Sequence, residues 1–264
     1  MSDSKPQRKE GVAVLVLALT IVSALAAGVL ACASYITEKP RAEALLKETN
    51  AALLKLQPGF DNVPDQGKVF VVDADASADL SKARWELLPA PPAEQGKVNQ
   101  VVFYPAMKDG KLLSVIAQAI SPIGYGGNMT VMAALSPVDG AVRNVIVTTN
   151  NETPGLGDAV FNRSNELTLW GLLKGTGKAD PDKLPPNRTL DFFRGKSYVP
   201  DQGAGASPDA IPASKWAVRK DGGDFLFVTG ATVSSRAVTY GVKKIEACYC
   251  AVKPQLAAVF AATK

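Results

Sequence analysis

Histidine is absent from all 264 residues. That absence excludes Ser-His-Asp and Cys-His nucleophile schemes, imidazole acid–base chemistry and most zinc or haem ligation. Cysteine is scarce: three residues are too few for a disulfide framework or a four-thiolate cluster. Cys32 lies in an apolar run. Cys248 and Cys250, two apart in a helical stretch, point to different helix faces, so a bridge between them would be strained. Neither sign of charge dominates, since 29 basic against 25 acidic side chains leave +4. No basic tract with interleaved aromatics occurs, which argues against nucleic acid as a partner. With no catalytic side chain and no metal ligands expected, any chemistry falls to a bound organic cofactor.

Charge is missing altogether between Glu10 and Glu38, where Val, Leu, Ala and Ile dominate from Gly11 to Ile36. A helix of this length covers the roughly 30 Å hydrocarbon layer of a bilayer. It lacks the polar face of a buried core helix. It also exceeds the apolar part of a cleaved signal peptide, usually about 7–15 residues. An uncleaved anchor is therefore expected over 11–37, after a tail at 1–10. Val29-Leu30-Ala31-Cys32 resembles a bacterial lipoprotein cleavage site, with Val where Leu is favoured. Lys5, Arg8 and Lys9 precede the span, and Lys39, Arg41 and Lys47 follow it closely. Charge alone does not orient it; the short tail favours an N-terminus inside. The rest of the chain is then expected outside the cytoplasmic membrane of a bacterium.

Beyond the anchor, residues 40–57 read as a helix closed by Gln57-Pro58-Gly59. A polar, Pro-rich stretch from Asp61 to Lys97 holds short apolar pieces, Val69 to Val72 and Trp85 to Leu88. Together, 38–98 form a helix and an irregular N-terminal part. The main domain is expected over 99–253, with a tail at 254–264. Two hairpins open it, because Asp-Gly between apolar runs is a strong turn signal. The first joins Val101–Tyr104 to Leu112–Ile120 across Asp109-Gly110. The second joins Met129–Leu135 to Val142–Thr148 across Asp139-Gly140. Residues 164–174 read as a short amphipathic helix, Gly175 to Arg188 as loop, and Phe225 to Val228 as a further strand. Val238, Val242, Ile245, Tyr249 and Val252 recur at helical spacing and should pack on the sheet. The fold class is α+β: a single N-terminal transmembrane helix, then a twisted antiparallel sheet with packed helices.

Val228-Thr229-Gly230-Ala231-Thr232-Val233-Ser234-Ser235 leads straight into that last helix. A helix start offers unpaired N–H groups and partial positive charge, which suit a phosphate. The segment reads as an ordinary Thr/Ser cap, or as a threonine holding phosphate by hydrogen bonds or a covalent ester. Glu152-Thr153-Pro154-Gly155-Leu156-Gly157-Asp158 follows a strand directly. Its glycines permit close backbone approach, and a leucine between them suits a flat ligand better than a plain turn. The loop has no Gly-Lys-Ser/Thr and no Gly-x-Gly-x-x-Gly spacing, so it is neither common phosphate loop. In Gly124-Tyr125-Gly126-Gly127, Tyr125 either stacks on a ring or simply packs. Phe192-Phe193-Arg194-Gly195-Lys196 offers a cationic pair that approaches a phosphate or stays on a solvated surface.

In that order, Gly-Tyr-Gly-Gly, Glu-Thr-Pro-Gly-Leu-Gly, Phe-x-Gly-Lys and Thr-Gly-Ala-Thr-x-Ser-Ser resemble the FMN-binding G subunit of Rnf electron-transport complexes. The C subunit of the sodium-translocating NADH:quinone reductase is a relative of that family. The resemblance covers roughly residues 100–250. It implies that FMN is attached through its phosphate to Thr232, next to Gly230, Ala231, Ser234 and Ser235. It implies that Thr153, Gly155, Leu156 and Gly157 lie against the flavin. It further implies an FAD-dependent FMN transferase that uses magnesium for maturation, other membrane subunits as partners, and electron relay within an ion-translocating ferredoxin:NAD oxidoreductase. The equivalent role in the quinone reductase, or a membrane-anchored scaffold without covalent flavin, are the alternatives. Asn150-Asn151 stand where the family often has histidine before the loop.

Overall fold

The protein's structure, a computed structural model, describes residues 10–61, 68–73, 84–89, 98–163, 184–201 and 209–261. The chain divides into two compact units, Met1–Leu46 and Lys47–Lys264.

The described residues of the first unit belong to α1 (Glu10–Leu56), which runs through Pro40. The anchor at 11–37 and the helix at 40–57 are thus one element. Within it Ala13–Pro40 is a 28-residue stretch of mean hydropathy 2.6 with none of its most apolar window buried in protein. At the helical rise this is about 42 Å, enough to cross the hydrocarbon layer with some tilt. Both of its threonine hydroxyls are satisfied within the helix. Thr20 Oγ1 donates to Val16 O at 2.8 Å and Thr37 Oγ1 to Ala33 O at 2.7 Å, as backbone and side chains without water require. Among the described residues it is the one helix long and apolar enough to cross a membrane, which suits a one-pass anchor.

The second unit is built on six antiparallel strands: β1 (Lys68–Asp73), β2 (Arg84–Pro89), β3 (Gln100–Lys108), β4 (Lys111–Gly124), β5 (Gly127–Leu135) and β6 (Val142–Thr149), in spatial order β2-β1-β3-β4-β5-β6. The last four form a meander. Asp109 and Gly110 turn β3 into β4 with φ of 49° and 71°, the paired positive values of a tight hairpin turn. The apolar pieces at 69–72 and 85–88 are strands that widen the sheet beyond β3, within a stretch whose sequence reads as irregular.

Both faces of the central strands are buried, so their sequences read as continuous apolar runs rather than alternating ones. On β3, Val101 and Phe103 belong to one core, Val102 and Tyr104 to the other. Ala52, Leu53 and Leu56 from the end of α1 cover the second face with Ile116, Met132, Ala134 and Ile146. Helix α2 (Thr232–Ala261) covers the first. Val238, Val242, Ile245, Tyr249 and Val252 all sit in that core, as their spacing predicts. The helix continues through Pro254.

Phe225–Val228 is not a strand. Phe225 alone pairs, in one parallel bridge to Val218. The reason is aromatic packing: Phe225 stacks on Phe193 at 4.5 Å and meets Trp216 at 4.6 Å, which commits the segment to a ring cluster instead of a sheet edge. Arg188, expected in a loop, opens a helical turn to Asp191, capped by Asn187 Oδ1 accepting from Leu190 N–H at 2.8 Å. A short parallel pair, β7 (Ser197–Val199) with β8 (Ala210–Pro212), lies beside it in sequence. The helix expected at 164–174 lies outside the described residues.

Gly241 marks the closest approach of α2 to the sheet, where an added Cβ would stand 2.7 Å from Val131 Cγ2. Replacing glycine inside a helix normally gains up to about 1 kcal/mol. Here overpacking against a stiff β-branched side chain, costing about 1–3 kcal/mol, should win. Gly241→Ala is expected to lower the denaturant midpoint, and a raised midpoint would contradict the close packing.

Glu246, on the same helix, is buried, with Oε2 accepting from Tyr198 N–H at 3.0 Å and Oε1 unpartnered. Burial pushes its carboxyl up to about 8; the Tyr198 N–H and Lys253 oppose this while Asp139 adds to it. An acid raised in the folded state contributes fully below its ordinary value, and that contribution is lost as pH climbs towards 8. Melting curves from pH 4 to 9 (about the span of that titration) should show this loss in wild type and a flatter profile in Glu246→Gln. Equal slopes would contradict it.

Candidate functional site

The helix start at Thr232 is set by the residues before it. Gly230 has φ of 88°, a left-handed conformation that favours glycine, and it turns the chain into α2. Ala231 is buried and its N–H donates to Val228 O at 3.0 Å. Ser235 braces the turn: its Oγ donates to Ala231 O at 2.9 Å and accepts from Val228 N–H at 3.1 Å. Ser234 Oγ donates to Glu152 Oε2 at 2.8 Å, also in a buried position. Two of the hydroxyls in 229–235 are therefore engaged and shielded. Thr229 is exposed, and Thr232 is half-buried at the first helical position. The Thr232 hydroxyl makes no hydrogen bond among the described residues. The N–H groups of Thr232, Val233 and Ser234 lie at this end without intrahelical acceptors, and the first turn carries no acidic side chain.

The glycine-rich loop after β6 is a compact turn. Thr153 O accepts from the N–H groups of Leu156 and Gly157, both at 3.1 Å. Gly155 has φ of 75°. Gly157 is required for space, since a Cβ there would overlap Glu152 Oε2 and come within 2.9 Å of Ser234 Oγ. Leu156 is 49% exposed, with Cδ1 3.5 Å from where a Cβ on Gly230 would stand. The leucine thus overhangs the residue two before Thr232. Asn150 Oδ1 accepts from Glu152 N–H at 3.1 Å. Asparagine, where histidine is common in the family the sequence resembles, here shapes the start of the loop.

Glu152 is the residue that sequence reasoning missed. It is 8% exposed, and its two carboxylate oxygens reach different segments. Oε2 accepts from Ser234 Oγ on α2; Oε1 accepts from Gly126 N–H at 3.3 Å in the β4–β5 turn. Gly126 sits against Asn151 with no room for a Cβ. A single carboxylate therefore joins the hairpin, the loop and the helix start. No signal in the sequence separates it from a solvated acid at a strand end.

Of the residues singled out from sequence, Gly157, Leu156, Gly230, Thr232 and Ser234 come together around this link. Ser235 and Ala231 support it from the buried side. Thr153 and Gly155 set the loop's shape from its exposed side. The Phe192–Lys196 segment does not join them as a cationic lobe. Phe193 is core, Arg194 pairs with Asp191 at 3.3 Å, and Lys196 with Asp209 at 3.3 Å. Arg236, one turn beyond Thr232, is held by Asp221 through two contacts of 2.6 Å. All three cysteines are free; burial pushes the Cys248 thiol up to about 12, which leaves it unreactive. Among the described residues no group of His, Cys, Asp and Glu is placed to hold a metal.

The arrangement is an antiparallel sheet under one long helix, with a glycine loop at the helix start. Residues 124–245 match the family model described as FMN-binding domain. The matched range begins at the β4–β5 turn and ends within α2, so it contains all three segments that Glu152 joins. The chain is 33% identical over 149 residues to the G subunit of the ion-translocating oxidoreductase complex of Aliivibrio fischeri, covering 56% of this chain and 55% of that protein. It is likewise 33% identical over 151 residues to the corresponding G subunit of Escherichia coli, covering 57% of each. The resemblance drawn from the motifs is borne out. The match spans little more than half the length of these relatives.

Glu152→Ala would leave Ser234 Oγ and Gly126 N–H without their partner, at a cost of about 1–3 kcal/mol. In a double-mutant cycle with Ser234→Ala, denaturant unfolding should give a coupling above about 0.5 kcal/mol. Strictly additive effects would contradict the link.

Proposed function

We propose that this chain is a membrane-anchored flavoprotein that relays electrons through FMN esterified to Thr232, within an ion-translocating oxidoreductase complex of the Rnf type. The observation that carries this is the Thr232 hydroxyl: on a half-buried residue, without a hydrogen-bond partner among the described residues and set at a helix start, inside the range that matches the FMN-binding family.

The residues present fit such a group. First-turn N–H groups suit a phosphate, the alanine and glycine before Thr232 leave its approach open, and Leu156 offers an apolar contact for a flat ring. FMN, when bound, supplies the electron-accepting and electron-donating chemistry. Thr232 Oγ1 acts as the tether, the helix start neutralises phosphate charge, and Glu152 keeps loop and helix in register. Outside the cytoplasm free FMN is not dependably supplied. A covalent tether keeps the local concentration high without requiring tight binding of the ring, so the ring can remain partly exposed to redox partners.

Maturation then requires an FMN transferase acting on FAD with magnesium. The threonine oxygen forms the phosphoester, the pyrophosphate bond of FAD breaks, and AMP leaves with the hydroxyl proton. The domain lies on the extracytoplasmic face of a bacterial inner membrane, among other membrane subunits. The relatives named above are G subunits of ion-translocating oxidoreductase complexes, which favours this reading over the C subunit of the sodium-translocating quinone reductase.

Full-length protein co-expressed with an FMN transferase should give a fluorescent band after denaturing electrophoresis. Thr232→Val should lose it, while Thr229→Val should keep it. A fluorescent Thr232→Val band, or a colourless matured wild type, would overturn the proposal.

A further inference from the structure

Among the described residues of the second unit, four of the seven exposed large hydrophobic side chains lie at one place. Ile123 (43% exposed) and Tyr125 (75%) stand at the β4–β5 turn, Leu156 (49%) on the glycine loop, and Val233 (38%) beside Thr232. Carried by three separate stretches of sequence, they are brought to one end of the sheet by a short chain of contacts. Gly126, next to Tyr125, donates to Glu152; Glu152 accepts from Ser234, next to Val233; Leu156 overhangs Gly230. Leu54, Val98 and Val138, also exposed, lie on other elements.

Tyr125 has no structural duty that explains it. The β4–β5 connection is a tight turn, and its conformation is set by glycine: Gly127 has φ of 110°, and neither Gly124 nor Gly126 has room for a Cβ. Two-residue hairpin turns favour Asn, Asp and Gly. A large aromatic ring left in solvent at this position loses apolar burial and gains nothing from the fold. Tyrosine nonetheless suits one task here. It offers a wide, rigid face at low conformational cost, with a hydroxyl that tolerates water at the edge.

We propose that Tyr125 supplies the aromatic face of the cofactor site: the flat heteroaromatic ring tethered at Thr232 lies against Tyr125, with Ile123 and Leu156 as its apolar neighbours. This rests on the FMN reading above. The hairpin is then part of the site, and Glu152 is the residue that holds its tip at the helix start. Tyrosine in contact with an electron-poor excited flavin quenches its emission by donating an electron, which returns without net reaction.

The test uses full-length protein matured with an FMN transferase and kept in detergent, as wild type, Tyr125→Phe and Tyr125→Ala. Each sample is read twice, once folded and once denatured, so that folded emission is normalised to the flavin attached. Wild type should be strongly quenched when folded, Tyr125→Ala should brighten several-fold, and Tyr125→Phe should fall between them with the wild-type visible absorption shape retained. Denatured intensity should be equal in all three. Equal folded-to-denatured ratios and unchanged absorption shape in Tyr125→Ala would overturn the proposal while leaving the tether intact. Wild-type ratios combined with loss of complex assembly would also overturn it, and would make the patch a protein-docking face. Absence of flavin from the denatured wild type would instead defeat the FMN reading itself. Because Tyr125 is so exposed, its removal should leave the melting temperature unchanged, which separates a site effect from misfolding.

Discussion

The carboxylate of Glu152 holds three distant parts of the chain at one point. It accepts one hydrogen bond from the hairpin at Gly126 and another from the first turn of α2 at Ser234. It also starts the loop in which Gly157 must lack a side chain because that carboxylate lies alongside. A buried acid with both oxygens accepting is well satisfied, whereas one with a missing donor is costly. Pairing therefore makes the relative placement of hairpin, loop and helix start a cooperative property. The exposed Leu156, the turn at Gly230 and the hydroxyl of Thr232 inherit their positions from it.

Rigid packing behind this point limits how far it can drift. Helix α2 lies on the sheet with Gly241 against Val131, and the core formed by Phe103, Val131, Val242 and Ile245 is fully buried. Phe225 fixes the approach to Thr229 by ring contacts with Phe193 and Trp216 together with one backbone bridge to Val218. The helix start is thus clamped from two sides, by aromatic packing before it and by sheet contact after it. Around that point Thr229, Leu156 and Val233 are exposed, with Ile123 and Tyr125 at the hairpin tip, and Thr232 is half-buried. Such a surface accords with the proposed role, in which a bound cofactor supplies the chemistry.

Much of this was legible in the residues. The uncharged run from Gly11 to Ile36, the Asp109-Gly110 turn and the helical spacing from Val238 to Val252 each have a local physical cause, and each appears in the structure as read. The failures share a cause as well. Phe225–Val228 has the composition of a strand, yet its fate depends on Phe193 and Trp216, which come from outside the segment. The strands β1 and β2 are short apolar pieces in polar surroundings, and their pairing partner β3 decides them. Glu152 is the sharpest case. An acid between asparagine and threonine at the end of a strand looks solvated until Gly126 and Ser234 arrive from 26 residues before and 82 after. Long-range pairing of polar groups leaves no periodic trace.

Burial and hydrogen bonding commit Ser234 to Glu152 and Ser235 to the turn, while exposed Thr229 precedes the helix; Thr232 is the hydroxyl left at the helix start, and the proposed ester belongs there. Digestion of matured protein with trypsin isolates the peptide Asp221–Arg236, which contains all four candidate hydroxyls. Tandem mass spectrometry of that peptide should place a single phosphoryl flavin on Thr232. A peptide without modification, or one carrying it on Thr229, Ser234 or Ser235, would contradict the account.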